Sequence, residues 1–207
     1  MKRGILFVMS GPSGTGKGTV CAELLKTEPI FLSVSATTRE KRKGETEGVT
    51  YNYLSEEEFK ALIETDEMLE YAQYSGNYYG TPKAYVEEQL SKGRDVILEI
   101  EIQGARKIKK KFPEAVLVFV TAPSMEVLRE RLVGRGTETA EVIHQRLARA
   151  AQEAEGVDEY DYVLVNDQLD EAVDRLHGII QSEHFSMKRN LDFIHEIQAQ
   201  AAKFTEN

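Results

Sequence analysis

The sequence predicts an α/β fold: a parallel sheet with helices on both faces, carrying a small inserted unit of mixed α+β character. Three observations lead there. Apolar runs of strand length alternate with helical stretches over most of the 207 residues, the pattern of a sheet whose crossovers are helices. The first run, Ile5-Leu6-Phe7-Val8-Met9, leads into a glycine-rich turn and then a helix start. Residues 35–81 interrupt the alternation with a polar, basic, tyrosine-bearing stretch.

Taken in order, the turn Gly11-Pro12-Ser13-Gly14-Thr15-Gly16-Lys17-Gly18-Thr19 precedes an amphipathic helix, Val20 to Lys26. Pro29 marks a turn, and Ile30 to Val34 reads as a second short strand. Arg39, Lys41, Arg42 and Lys43 then cluster between Ser35 and Gly48. Tyr51 and Tyr53 alternate, and Ser55 with Glu58 three places on is a capping box that opens a helix. Met68 to Tyr74 reads as strand and Ser75-Gly76-Asn77 as a turn. From Pro82 a helix runs to Ser91 and ends near Gly93. Val96 to Ile100 is a buried strand, Gly104 to Lys111 a basic helix stopped before Pro113, and Ala115 to Val120 another strand. A helix follows Pro123-Ser124 with Leu128 and Leu132 on it, Gly134 to Thr137 is a flexible turn, and a helix covers Thr139 to Glu155. Tyr162 to Val165 is the last strand, followed by Asn166-Asp167 and a closing helix. Residues 185–207 read as a polar helical tail.

The glycine-rich turn carries chemistry. Glycines let backbone N–H groups close around a polyphosphate, and the helix N-terminus adds partial positive charge. The spacing Gly-x-x-x-x-Gly-Lys fits the P-loop pattern, with Lys17 reaching the outer phosphates. Gly18 stands where a Ser or Thr usually meets Mg²⁺, and the hydroxyl comes one place later at Thr19. Ligands of such sheets sit beyond the carboxyl ends of the strands, where the P-loop, Ser35, Glu99 and Asn166 all fall.

Bulk properties exclude other classes. A net charge of −9 argues against a general nucleic-acid binder, though a nucleotide site needs only local cations. One cysteine, Cys21, leaves no internal disulfide and reads as a small core residue in a reducing, cytoplasmic setting. No secretory signal precedes the first strand and no apolar run approaches a membrane span, so no membrane partner is expected.

A second constellation lies in residues 35–81. Arg39 and Arg42, three apart after hydroxyl residues, can grip one phosphate from two sides. Glu70 is the type of group that accepts from guanine N1 and N2, with the Ser35 and Thr81 hydroxyls able to donate to O6. In isolation a solvated charge run and a solvated edge carboxylate read the same way.

Taken together, the P-loop, Ser35 to Arg42 with Gly44-Glu45 and Tyr51, Leu69-Glu70-Tyr71, Ser75 to Thr81, Ile97 to Gly104, and Arg131 through Arg146 resemble the guanylate kinases, over residues 4–184. The resemblance implies a P-loop NTPase-type core (1–34, 82–133 and 156–184), a GMP-binding unit (35–81) and a lid (134–155), with 185–207 a helical tail. It implies ATP + GMP ⇌ ADP + GDP with Mg²⁺, held mainly through phosphates and water, and dGMP as a further substrate. Gly11 to Thr19, Arg131 and Asn166 are then on the ATP side; Ser35, Arg39, Arg42, Tyr51, Glu70, Tyr79, Thr81, Glu99 and Glu101 are on the GMP side. Lys17, Arg42, Arg135 and Arg146 are the implied catalytic groups, and the chain a monomer or homodimer. Two departures stand out: Glu40-Lys41-Arg42 replaces a common x-Pro-Arg, and Glu101 stands where Asp is common. The competing readings are a non-catalytic scaffold of the same fold, which tends to lose the lysine or lid arginines kept here; a kinase for AMP or dTMP, which has no use for Glu70 with Ser35 and Thr81; and an ATPase or GTPase switch, which has no use for a second phosphate grip.

Overall fold

Strand residues alternate between faces, so an apolar run with no polar positions must be covered on both sides. The structure, a computed structural model, describes residues 2–42, 44–74, 76–134 and 139–205. Its elements in order are β1 (Leu6–Ser10), α1 (Lys17–Leu24), β2 (Phe31–Leu32), β3 (Ala36–Thr37), β4 (Asn52–Tyr53), α2 (Glu56–Glu64), β5 (Met68–Tyr74), β6 (Asn77–Pro82), α3 (Lys83–Ser91), β7 (Val96–Glu99), α4 (Ile102–Lys111), β8 (Val116–Thr121), α5 (Met125–Gly134), α6 (Ala140–Glu153), β9 (Tyr162–Val165), α7 (Leu169–Phe185) and α8 (Met187–Thr205). A 3₁₀ turn at Val157–Glu159 precedes β9.

Five strands form the main sheet in the order β2-β7-β1-β8-β9, every pair parallel. Ile5, Phe7 and Met9 face one layer, where Val20, Cys21 and Leu24 of α1 and Ala172, Leu176 and Ile180 of α7 pack. Leu6 and Val8 face the other, against Val86 and Leu90 of α3 and Ala105 and Ile108 of α4. Cys21 is buried there, its thiol donating to Met9 Sδ at 3.4 Å, as expected of a core residue. Among the described residues no helix is long and apolar enough to cross a membrane.

The insert builds a second sheet, β4-β3-β6-β5, in which β3 and β4 run parallel and the other pairs antiparallel. It has its own small core of Ala36, Phe59 and Met68. α5 and α6 have another, around Leu128, Leu132 and Ala150. The capping box at Ser55 forms as read: its side chain accepts from Glu58 N–H while Glu58 returns the bond to Ser55 N–H.

Some elements differ from the sequence reading. β3 and β6 lie in stretches read as polar loop and turn, because β3 is two residues long and β6 carries Gly80 and Pro82. Their strand character comes from pairing with each other across the insert, which no local window displays. The second strand shortens to Phe31–Leu32. α4 starts at Ile102, and Gly104, read as its boundary, lies inside it. The predicted turn over Gly134 to Thr137 falls, beyond Gly134, outside the described residues, as does Ser75.

Candidate nucleotide site

The site grows from the carboxyl end of β1, where the winding of the main sheet reverses. Gly11 takes φ 146° and lies so close to the neighbouring strand that a β-carbon would meet Val120 O at 2.1 Å. Gly16 is left-handed and serves as N-cap of α1, with Asn166 Nδ2 at 2.4 Å from where its β-carbon would be. These two positions admit only glycine. Asn166, buried at the end of β9, donates from Nδ2 to Thr15 O at 2.8 Å and so ties the loop to the far strand. Arg131 of α5 fastens the same corner, donating to Asn166 O at 2.8 Å and Asp167 O at 3.2 Å.

Lys17, at the first position of α1, donates from Nζ to Gly11 O at 2.6 Å and Pro12 O at 3.2 Å. Burial pulls its ammonium below the usual lysine value, while Glu99, Glu101 and Glu153 push it back up. Glu99, ending β7, lies against Gly18, with Oε2 at 3.1 Å from where a β-carbon would stand. Burial raises the Glu99 carboxyl; Lys17 and the Gly18 N–H oppose the shift. Glu99 thus occupies the space that a side chain at position 18 would need. Arg146 of α6 donates to Ser13 Oγ at 2.5 Å, bringing the helix to the loop. Arg149, one turn on, bonds Glu101 at 2.9 Å and Glu153 at 2.8 Å.

The insert contributes a second cluster. Arg39 pairs with Glu45 at 2.7 Å, and its guanidinium lies 5.6 Å from the centre of the Tyr51 ring. Tyr51 and Tyr79 meet edge to face at 6.0 Å. Burial raises the Tyr51 hydroxyl, with Tyr79 and Glu99 adding to the shift, so Glu99 is within electrostatic reach of both the lysine and this cluster. Glu45 also accepts from Arg42 N–H and from Tyr53 Oη, each at 2.7 Å. Deeper in, Glu70 of β5 is 7% exposed and accepts from Thr81 Oγ1 at 2.9 Å. Burial raises its carboxyl, with Thr81 and Lys107 opposing. Ser35 directly precedes β3 and accepts Asn52 N–H through its carbonyl.

The guanylate kinase family model matches residues 3–183. The chain belongs to the guanylate kinase family. A guanylate kinase from Halalkalibacterium halodurans is 51% identical over 95% of this chain and 97% of its own length. One from Desulfitobacterium hafniense is 54% identical over 90% and 94%. The crystal structure of guanylate kinase from Anaplasma phagocytophilum superimposes with a TM-score of 0.75 at 36% identity, covering 91% of this chain and 90% of that one. Membership in the guanylate kinases carries the enzyme class, an ATP:GMP phosphotransferase with a P-loop fold.

Against that family identity, the described residues bring Lys17, Glu99 and the P-loop together, gather Arg39, Tyr51 and Tyr79, and pair Glu70 with Thr81. Arg135 lies outside the described residues. The sequence reading gave no role to Glu45, although it fastens Arg39, the Arg42 backbone and Tyr53 at once. It also missed Arg149, which links α6 to Glu101. Three donors and foremost the Arg39 guanidinium hold the Glu45 carboxyl down to about 2. A depressed carboxyl stabilises the fold above its ordinary value of 4.5 and loses that contribution as pH falls toward about 2. Glu45→Gln is therefore expected to flatten the acid limb of the melting temperature between pH 4.5 and about 2. An acid limb identical to that of the parent chain would contradict this account of the shift.

Proposed function

We propose that the P-loop and Lys17 hold the ATP phosphates while Arg39, Arg42, Tyr51 and Tyr79 hold the phosphate of GMP, with phosphoryl transfer across the gap that Glu99 borders. The observation that supports this most is the position of Glu99, which ends β7 with its carboxylate against Gly18 of the P-loop, beside Lys17. The acceptor oxygen is already ionised at neutral pH, so the work is positioning two anions and neutralising charge. Glu70, with Thr81 and Ser35, reads guanine: a carboxylate accepts from N1–H and N2–H, whereas adenine offers it an acceptor. Glu99 and Glu101 approach the nucleotide from the strand end. Arg131 and Asn166 act on the ATP side, and Arg135 and Arg146 close over the transferring group.

A magnesium ion suits this donor set if its ligands are mostly phosphate and water. Among the described residues no group of three or more His, Cys, Asp or Glu is placed to hold a metal. Glu99, against Gly18 of the loop, and Glu101 would accept hydrogen bonds from water around such an ion. The ion supplies charge neutralisation; Lys17 and the loop amides orient the donor.

The small core of Ala36, Phe59 and Met68 and that of α5 with α6 support reading a GMP-binding unit over 35–81 and a lid over 134–155 that move against the main sheet, the first about the seam where Leu69 and β5 meet α4. Closure excludes water that would otherwise hydrolyse ATP. Structures with and without GMP that superimpose through residues 35–81 would refute this motion. The single buried cysteine fits a reducing, cytoplasmic setting.

The assay is ADP release with ATP and Mg²⁺ fixed and GMP, dGMP, AMP, CMP, UMP or dTMP added in turn. Turnover is expected with GMP, and more weakly with dGMP. Glu70→Gln is expected to lower kcat/KM for GMP by about 10²-fold, because an amide N–H then faces a base donor. Preference for AMP would end the guanine reading; tight GMP binding without turnover would favour a scaffold.

A further inference from the structure

Gly104 stands in the first turn of α4, buried, where a glycine weakens the helix relative to alanine. A β-carbon there would stand 2.6 Å from Glu70 Oε2 and 3.1 Å from its carboxyl carbon, with Ile100 Cδ1 at 3.2 Å. The first distance is far inside van der Waals contact. Glu70 has little room to yield. Its other oxygen accepts from Thr81, its strand is registered against β6, and the residue is buried.

α4 is also fixed against β5. Lys107, three positions on from Gly104, donates to Tyr71 O and lies 5.1 Å from the centre of the Tyr71 ring. Lys111, four further, bonds Asp66 at 2.9 Å and Met68 O at 3.4 Å. Positions 104, 107 and 111 share one helix face, and that face runs along the strand bearing Glu70. The helix belongs to the main sheet and the strand to the insert, so the Glu70 carboxylate is seated at the seam between them.

We propose that Gly104 is a positioning residue for guanine selectivity: by leaving its β-carbon space empty it lets the Glu70 carboxylate lie where both oxygens serve the base. The proposal rests on the reading that Glu70 recognises guanine. A side chain at 104 displaces Oε2 and leaves Thr81 holding Oε1, so two-point recognition of N1–H and N2–H becomes one-point. The substrate that measures this is IMP, which keeps N1–H and lacks the 2-amino group.

The experiment compares kcat/KM for GMP and IMP, with KM for ATP, in the parent chain, Gly104→Ala, Glu70→Asp, the double variant and Glu70→Gln. Gly104→Ala is expected to lower the GMP-to-IMP ratio by about 10-fold, the scale of one lost hydrogen bond, and to leave KM for ATP within about twofold. The loss is expected mainly in KM for GMP. Glu70→Asp withdraws the carboxylate by one methylene, so adding Gly104→Ala to it is expected to change the ratio little, a coupling that a general loss of stability does not produce. If Gly104→Ala fails to fold but the double variant folds, the clash is with Glu70 and the proposal stands. Failure of both places the clash elsewhere and overturns it, as does an unchanged ratio in Gly104→Ala or an equal loss in both backgrounds. An unchanged ratio in Glu70→Gln would instead remove the guanine reading on which it rests.

Discussion

Replacing Lys17 with methionine is expected to lower kcat by about 10³-fold, the scale of removing one preorganised charge from a phosphoryl-transfer site. Methionine keeps the length and apolar stem, so the start of α1 and the loop glycines keep their packing. What goes is the ammonium that now lies on Gly11 O and Pro12 O. A second consequence separates this from simple loss of affinity. Lys17 is the largest influence holding the Glu99 carboxyl down against burial. Without it Glu99 titrates higher, so the acid limb of kcat/KM in the variant shifts to higher pH. Binding of GMP by calorimetry is expected to stay near that of the parent chain, since the cluster around Arg39 proposed to hold its phosphate is built on the insert. A variant that retained a tenth of the parent kcat would sink the assignment.

Arg146→Ala is expected to have a comparable effect, about 10³-fold on kcat, as for an arginine finger supplied within the chain. The residue comes from α6, and its bond to Ser13 Oγ at 2.5 Å places the guanidinium at the edge of the P-loop. KM for GMP is expected to move little, because the acceptor side is untouched. Lysine at this position keeps the charge but loses the planar fork, so Arg146→Lys is expected to recover only part of the rate. Ser13→Ala removes the hydroxyl that Arg146 meets on the loop and leaves the charge; a small effect there beside a large one at Arg146 distinguishes transition-state stabilisation from this docking contact. Equal losses at both positions would mean that the arginine holds the lid and does not act on the phosphoryl group.

What was legible in the sequence is what is contiguous. The P-loop is one unbroken stretch between a strand and a helix, and its own residues carry the pattern, whereas the partners that brace it, Glu99, Val120, Arg146 and Asn166, are far along the chain. β5 was bounded correctly at Met68 and Tyr74 because alternation and flanking turns coincide there. β3 and β6 were not legible, since each is defined by the other. Glu45 was read only as part of the stretch that carries the resemblance, and its role was not legible for the same reason: three donors converge on it only after the insert folds. Gly104 was read as the edge of a helix, the usual meaning of glycine. Its actual setting is opposite a carboxylate thirty-odd positions earlier in the chain, and no periodicity encodes that. Asn166 was placed at a strand end by topology, but its tie to Thr15 O needed the coordinates. The tail reads as helix from its spacing and forms one, Met187–Thr205.

The strand that precedes the P-loop has both of its partners far downstream: β1 pairs with β7 and with β8, and Gly11 is pressed against Val120. During synthesis β1 emerges before either partner and stays an unpaired apolar segment until β7, and then β8, have left the ribosome. The shape of the glycine-rich turn is therefore set only after β8 pairs, although its residues are translated well before that strand. Long-range closure of this kind slows folding and leaves the early chain dependent on protection from aggregation. A ligand held by that turn adds its binding energy to the sheet only once the sheet has closed.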